Sequence, residues 1–168
     1  MQTILQGMVE EFQEEAATTK RVLERVPQDK LAWRPHPTSM SLGQLALHIA
    51  GIPGHVLRVV QSSEFDVANS PQQVPEPANV GEIHAAFEKS VGAAEEFLKG
   101  MNEQSAMENW RLVWKGKEVF SRPRLTMVRK IMFNHWYHHR GQLSVYLREL
   151  DVPVPVIYGR SADENPFA

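Results

Sequence analysis

Apolar positions recur in steps of three and four over four long stretches of the chain, the pattern of helices that bury one side. The first stretch runs from Met1 to about Val26 with Leu5, Met8, Phe12, Ala16, Thr19, Leu23 and Val26 as its stripe, and Pro27 is its predicted stop. The second opens after Ser41, a good N-cap, and places Leu45, His48, Ile49, Ile52, Val56 and Val59 on one face. Pro53 inside it predicts a kink, or a break near Gly51. Asn79, with Glu82 three residues on, resembles a capping box and starts the third stripe: Ile83, Phe87, Val91, Ala94 and Leu98, ending near Gly100. The fourth spans about Pro123 to Leu150, with Leu125, Val128, Met132, His135, His139, Gln142 or Leu143, Tyr146 and Leu150 in line.

The segments between are marked by proline and glycine. Pro35 to Ser41 is a non-helical connection, and Ser62 to Ala78, with Pro71, Pro75 and Pro77, reads as a long crossover loop. Trp110 to Phe120, centred on Lys115-Gly116-Lys117, predicts a short β-hairpin over the bundle. Val152 to Gly159 is extended, and the last residues read as a polar tail. Trp33, Trp110 and Trp114 supply aromatic bulk where loops meet the bundle, and Trp136 packs against another helix or a partner subunit. No internal repeat is present. The expected architecture is all-α: a four-helix bundle with long crossover connections and a short hairpin before the last helix, as one domain over residues 1–168 with 152–168 as its extended end.

Charge narrows the partners. A formal net charge of -2 and a pI near 6.4, with both signs interspersed, leave no electrostatic footprint for nucleic acid or an anionic membrane. The start of the chain lacks the basic and apolar regions of a signal peptide, and no apolar run is long enough to cross a bilayer, so a cytoplasmic protein is expected. The chain has no cysteine. Disulfides and thiolate ligands are thereby excluded, any metal must be held by nitrogen and oxygen, and any thiol chemistry needs a thiol from outside.

The candidate chemistry lies in Asn134-His135-Trp136-Tyr137-His138-His139. His135 and His139 are i and i+4 neighbours on the apolar stripe of the fourth helix. Imidazoles facing a core need a partner there, because unsatisfied buried polar groups are costly. The pair alone divides evenly between packing and metal binding. His48, on the apolar stripe of a different helix, supplies a third imidazole, and three neutral imidazoles with one open position form a recognised catalytic zinc arrangement that other divalent ions such as nickel also accept. His55, two turns after His48, is a supporting group or a rival ligand. His138 could pair with His135 at i+3 but lies off the centre of the stripe, and His36 and His84 read as surface residues. Gln142, Tyr146 and Glu149 are near enough to support the ligands, although each is more simply an ordinary helix-face residue.

Trp136 stands where a zinc protease would carry its glutamate, no histidine has a glutamate three residues before it, and neither a glycine-rich phosphate loop nor a Gly-x-Ser-x-Gly elbow occurs. These absences leave ligands without an identifiable general base, so the catalytic residues stay unassigned.

Three stretches together resemble the DinB superfamily of four-helix-bundle metalloenzymes over nearly the whole chain. They are Trp33-Arg34-Pro35-His36-Pro37 leading into Ser41-Leu42-Gly43-Gln44-Leu45-Ala46-Leu47-His48-Ile49, then His135-x3-His139-Arg140-Gly141-Gln142, and last Val152-Pro153-Val154-Pro155 with Tyr158-Gly159 and Ser161-Ala162-Asp163-Glu164. The resemblance implies a metal triad at His48, His135 and His139, the three that periodicity selects. It also implies a bundle of non-standard connectivity, often a homodimer, that binds nickel, zinc or a similar divalent ion such as iron or manganese. Characterised relatives use low-molecular-weight thiols in transferase or isomerase reactions, and some are induced by DNA damage. The function expected on this basis is a metal-dependent transferase (or hydrolase) that delivers a low-molecular-weight thiol to an electrophilic small molecule. The alternative is a non-enzymatic metal- or ligand-binding bundle of a stress or damage response.

Overall fold

The computed structural model describes residues 3–70 and 73–167. Helix α1 spans Ile4–Leu23 and opens on a reciprocal cap between Thr3 and Gln6. It stops short of the predicted Val26: Arg25 and Val26 donate to Val22 and Leu23 in tightened turns, and Pro27 disfavours helical backbone in the residue before it. The beginning of the first predicted stretch, Met1 and Gln2, lies outside the described residues. Met8, Phe12, Ala16, Thr19 and Leu23 are buried as their spacing predicts.

Helix α2 (Leu42–Gln61) opens on a capping box between Ser41 and Gln44 and runs through Pro53 without the break expected near Gly51. The tertiary structure accommodates the proline. Pro53 has no N–H to offer the Ile49 carbonyl four residues earlier, and that carbonyl instead accepts the Trp136 indole Nε1–H at 2.9 Å. The next residue, Gly54, donates its N–H to Ser90 Oγ on α3 (Val80–Gly100) at 2.7 Å. A Cβ at Gly54 would lie 3.1 Å from that hydroxyl, so the glycine permits a close approach of α2 and α3. Asn79 caps α3 through the Glu82 N–H, while the Glu82 carboxylate reaches back to Ala78 rather than to Asn79.

The short helix α4 (Glu103–Met107) leads into the predicted hairpin, β2 (Asn109–Trp114) and β3 (Lys117–Pro123), which turns at Lys115 and Gly116, both with positive φ. The presumed loop after α2 holds an unpredicted strand, β1 (Glu64–Asp66), which pairs in parallel with β2 and completes a three-stranded sheet in the order β1-β2-β3. The Asp66 carboxylate accepts N–H bonds from Lys115 and Gly116 and so holds the hairpin turn. At three residues, none of them fully buried, β1 is too short for periodicity to register. Trp110 is buried and donates to the Val59 carbonyl, and Arg124 donates to the Val60 and Gln61 carbonyls; together they close the C-terminus of α2. Trp114, expected at a junction, is instead half-exposed with Lys115 over its ring.

The last helix is composite: α5 (Arg124–Met127), a π-helical turn (Val128–Phe133) and α6 (Asn134–Glu149). The wider π turn shifts the register. Downstream of it the fully buried positions are Trp136, Arg140, Leu143 and Leu147, so His135 and His139 lie half-buried at the margin of the core rather than along its centre. The C-terminal segment is also less free than a polar tail. It folds back, with Asp163 and Glu164 accepting N–H bonds from Val154 and Val156, and with Arg25 and Arg148 paired to the same carboxylates. Among the described residues no helix is long and apolar enough to cross a membrane.

The Trp136–Ile49 bond yields a coupling test. Trp136→Phe should cost about 1–3 kcal/mol in urea denaturation, because it orphans a buried carbonyl. In a Pro53→Ala background the helix supplies the missing N–H, and the same substitution should cost measurably less. Equal costs in both backgrounds would refute the compensation.

Candidate metal centre

His48 projects from the middle of α2, and His135 and His139 from successive turns of α6. The three rings converge. His48 Nε2 and His135 Nε2 are 3.2 Å apart, the ring centroids lie 4.6–5.1 Å from one another, and one ring nitrogen from each residue falls within 4.8 Å of the other two. A tetrahedral ion with metal–nitrogen bonds of about 2.0–2.1 Å separates its ligand nitrogens by about 3.3 Å. The cluster therefore needs only small ring rotations to close on one ion.

Each ring has been prepared electrically. Burial lowers the pKa of His48 from 6.5 to about 4, with His139 and His135 adding repulsion. Burial likewise lowers His135 to about 4, against a hydrogen bond to the Ile131 backbone that partly opposes it. His139 is lowered by burial and supported by Gln142, whose Oε1 lies 2.9 Å from His139 Nδ1. With that nitrogen carrying the proton, Nε2 is left as the free lone pair. All three are neutral at neutral pH, the form that binds a metal.

Two of the three supporting residues suggested by the sequence reach the cluster region. Gln142 contacts His139 directly, and Tyr146 follows behind it, 3.5 Å from Gln142 Nε2 and donating to the Met40 carbonyl at 3.3 Å. Trp33 meets Tyr146 edge-on at 5.5 Å and ties the loop before α2 to this chain of contacts. Glu149 is exposed and makes no part of it. His138 is exposed beside the His139 ring, and His55 lies edge-on to Phe65; neither belongs to the ligand group. Burial and the Arg58 cation lower the His55 pKa, and its charge is felt at His48 and His135, so it stands close by. His36 is exposed and bonded to Thr38, whereas His84 is partly buried on α3.

The DinB family model matches residues 1–165. The chain belongs to the DinB family. Among characterised folds, a DinB-like protein from Bacillus cereus ATCC 10987 superposes with a TM-score of 0.72 at 23% identity, covering 94% of this chain and 99% of its own. The DinB-like protein YjoA from Bacillus subtilis gives 0.69 at 18% identity, covering 92% and 99%. The uncharacterized protein YrdA of Bacillus subtilis (strain 168) is 21% identical over 160 residues, 95% of this chain and 91% of that one. At these identities the structural likeness establishes the DinB helical fold, with this chain's small sheet set beside the bundle.

Sequence periodicity singled out the three histidines that converge here but missed Arg140, which is almost wholly buried one residue after His139. Its only advance signal was its place in the His-Arg-Gly-Gln run.

The lowered pKa values set the sign of the pH response. Below 6.5 the unfolded chain takes up protons that folded His48 and His135 refuse until about pH 4, so stability falls as pH falls through that window. Chelator-treated protein should lose stability in urea between pH 6.5 and 4, and His48→Gln with His135→Gln should flatten the slope. An unchanged slope in the double variant would show that the imidazoles are not the desolvated groups.

Proposed function

We propose that this DinB protein is a divalent-metal enzyme that transfers a low-molecular-weight thiol to an electrophilic small molecule. The observation carrying the proposal is the convergence of three neutral imidazoles from two helices, with no carboxylate among the described residues completing the set. His48, His135 and His139 would hold the ion, leaving a position for an exogenous ligand. Nitrogen ligands favour zinc or nickel over hard oxygen-seeking cations, with iron and manganese less well matched.

An ion held there would lower the pKa of a thiol bound to it and stabilise the thiolate. The chain supplies the rest. Burial keeps the three imidazole lone pairs free of protons, and Gln142 fixes which nitrogen of His139 faces the site. The chain has no cysteine, so the sulfur must arrive on a separate molecule. In the transfer the thiol sulfur forms the new carbon–sulfur bond, the leaving group departs with its bonding pair, and the thiol proton passes to solvent. A cytoplasmic protein would draw on a pool of small thiols, and the homodimer that the family resemblance implies belongs to the same reading.

Purified protein loaded with zinc or nickel should conjugate a small thiol to a model electrophile such as 1-chloro-2,4-dinitrobenzene, with release of chloride. His48→Ala and chelation should each reduce the protein-dependent rate at least about a hundredfold, the scale expected when a metal-ligand constellation is lost. Stoichiometric metal uptake without turnover across a broad thiol panel would favour the non-enzymatic metal-binding reading instead.

A further inference from the structure

The His-Arg-Gly-Gln run contains a residue that metal binding leaves unexplained. Arg140 is 1% exposed, an unusual place for a guanidinium. It pairs with Glu15 Oε2 of α1 at 2.5 Å and donates to the Glu15 carbonyl at 3.2 Å and Thr19 Oγ1 at 3.1 Å. It also bonds the Tyr158 hydroxyl, which in turn donates to Glu15 at 3.1 Å. The rings of Tyr137 and Tyr158 flank the guanidinium at 5.5 and 5.0 Å. A buried ion pair is weak evidence for stability, since apolar residues of similar volume often do as well. What a guanidinium adds is direction: its fork fixes where α6 stands relative to α1 and to the C-terminal segment.

That direction bears on the histidines. Successive helical residues are turned by about 100°, so Arg140 fixes one side of α6 while His139, its chain neighbour, faces α2. Trp136 occupies the side between them, stacked on Phe12 at 5.6 Å and bonded to Ile49. A side-chain tip about 5–6 Å from the helix axis moves by about 1 Å for each 10° of rotation, against a tolerance of about 0.2 Å in a metal–ligand distance. We propose that Arg140 is a positioning residue for the three-histidine site: its clasp with Glu15, Thr19 and Tyr158 sets the rotation of α6 that aims His135 and His139 at His48. The inference rests on the metal-site reading above.

The test uses the full chain with Co²⁺ as the probe, read by titration and by the visible ligand-field spectrum well below the melting temperature. Arg140→Lys keeps the charge but not the fork, and Glu15→Gln keeps the shape but not the charge. Each should weaken Co²⁺ binding at least fivefold and shift the visible bands. Leu98→Ala, in the core near the C-terminal end of α3, a helix that carries neither the clasp residues nor the histidines, should lower the melting temperature while leaving both readouts unchanged. Folded Arg140→Lys and Glu15→Gln proteins with wild-type spectra and affinities within twofold would overturn the positioning role alone, as would Leu98→Ala shifting them equally. A wild-type protein whose Co²⁺ spectrum survives His48→Ala would overturn the three-histidine site itself, and the positioning role with it.

Discussion

The contact on which the rest of the molecule depends is the seat of α6 on α2, made by the Trp136 indole and the Ile49 carbonyl. Pro53 leaves that carbonyl without a helical donor, and a buried unpaired carbonyl would be costly. The indole is therefore drawn to one position on α2. The residue immediately before Ile49 is the cluster's contribution from that helix, His48, and on either side of Trp136 in sequence lie His135 and His139. A backbone defect in one helix and a large aromatic in another thus register the two halves of the candidate metal centre. The Phe12 and Phe87 rings packed on Trp136 hold the same indole from α1 and α3.

Around that seat the energetic logic is consistent. Three imidazoles at the margin of a core lose water, and each loses part of its affinity for a proton, with no nearby carboxylate among the described residues to restore it. Such a cluster contributes little to stability. Two imidazole nitrogens 3.2 Å apart can share one hydrogen bond, whereas an ion would satisfy all three. The protein spends packing quality at this point, as sites built for binding do.

Much of this was legible from the chain. The four stripes, the caps at Ser41 and Asn79, the hairpin at Lys115-Gly116 and the three histidines followed from periodicity and turn chemistry, because each is a local pattern. The misses share a different origin. The π turn at Val128–Phe133 has no sequence marker, yet it moves His135 and His139 from the middle of the apolar stripe to its edge. Strand β1 is defined by its partner β2 and not by its own three residues. The burial of Arg140 has no local signal, because it depends on Glu15, 125 positions earlier, being placed beside it. The folding back of Asp163 and Glu164 likewise depends on pairings with Arg148 and Arg25, whereas the end of α1 at Leu23 is set locally, by tightened turns before Pro27. Pairings across the chain, rather than patterns along it, were what the sequence concealed.

The central claim is that His48, His135 and His139 bind one divalent ion together. X-ray absorption at the metal edge of protein loaded with one equivalent of zinc tests it most directly. The account predicts a first shell containing three imidazole nitrogens at about 2.0–2.1 Å, reduced to two in His48→Ala. A shell with fewer than two imidazoles, or one that His48→Ala leaves unchanged, would contradict it.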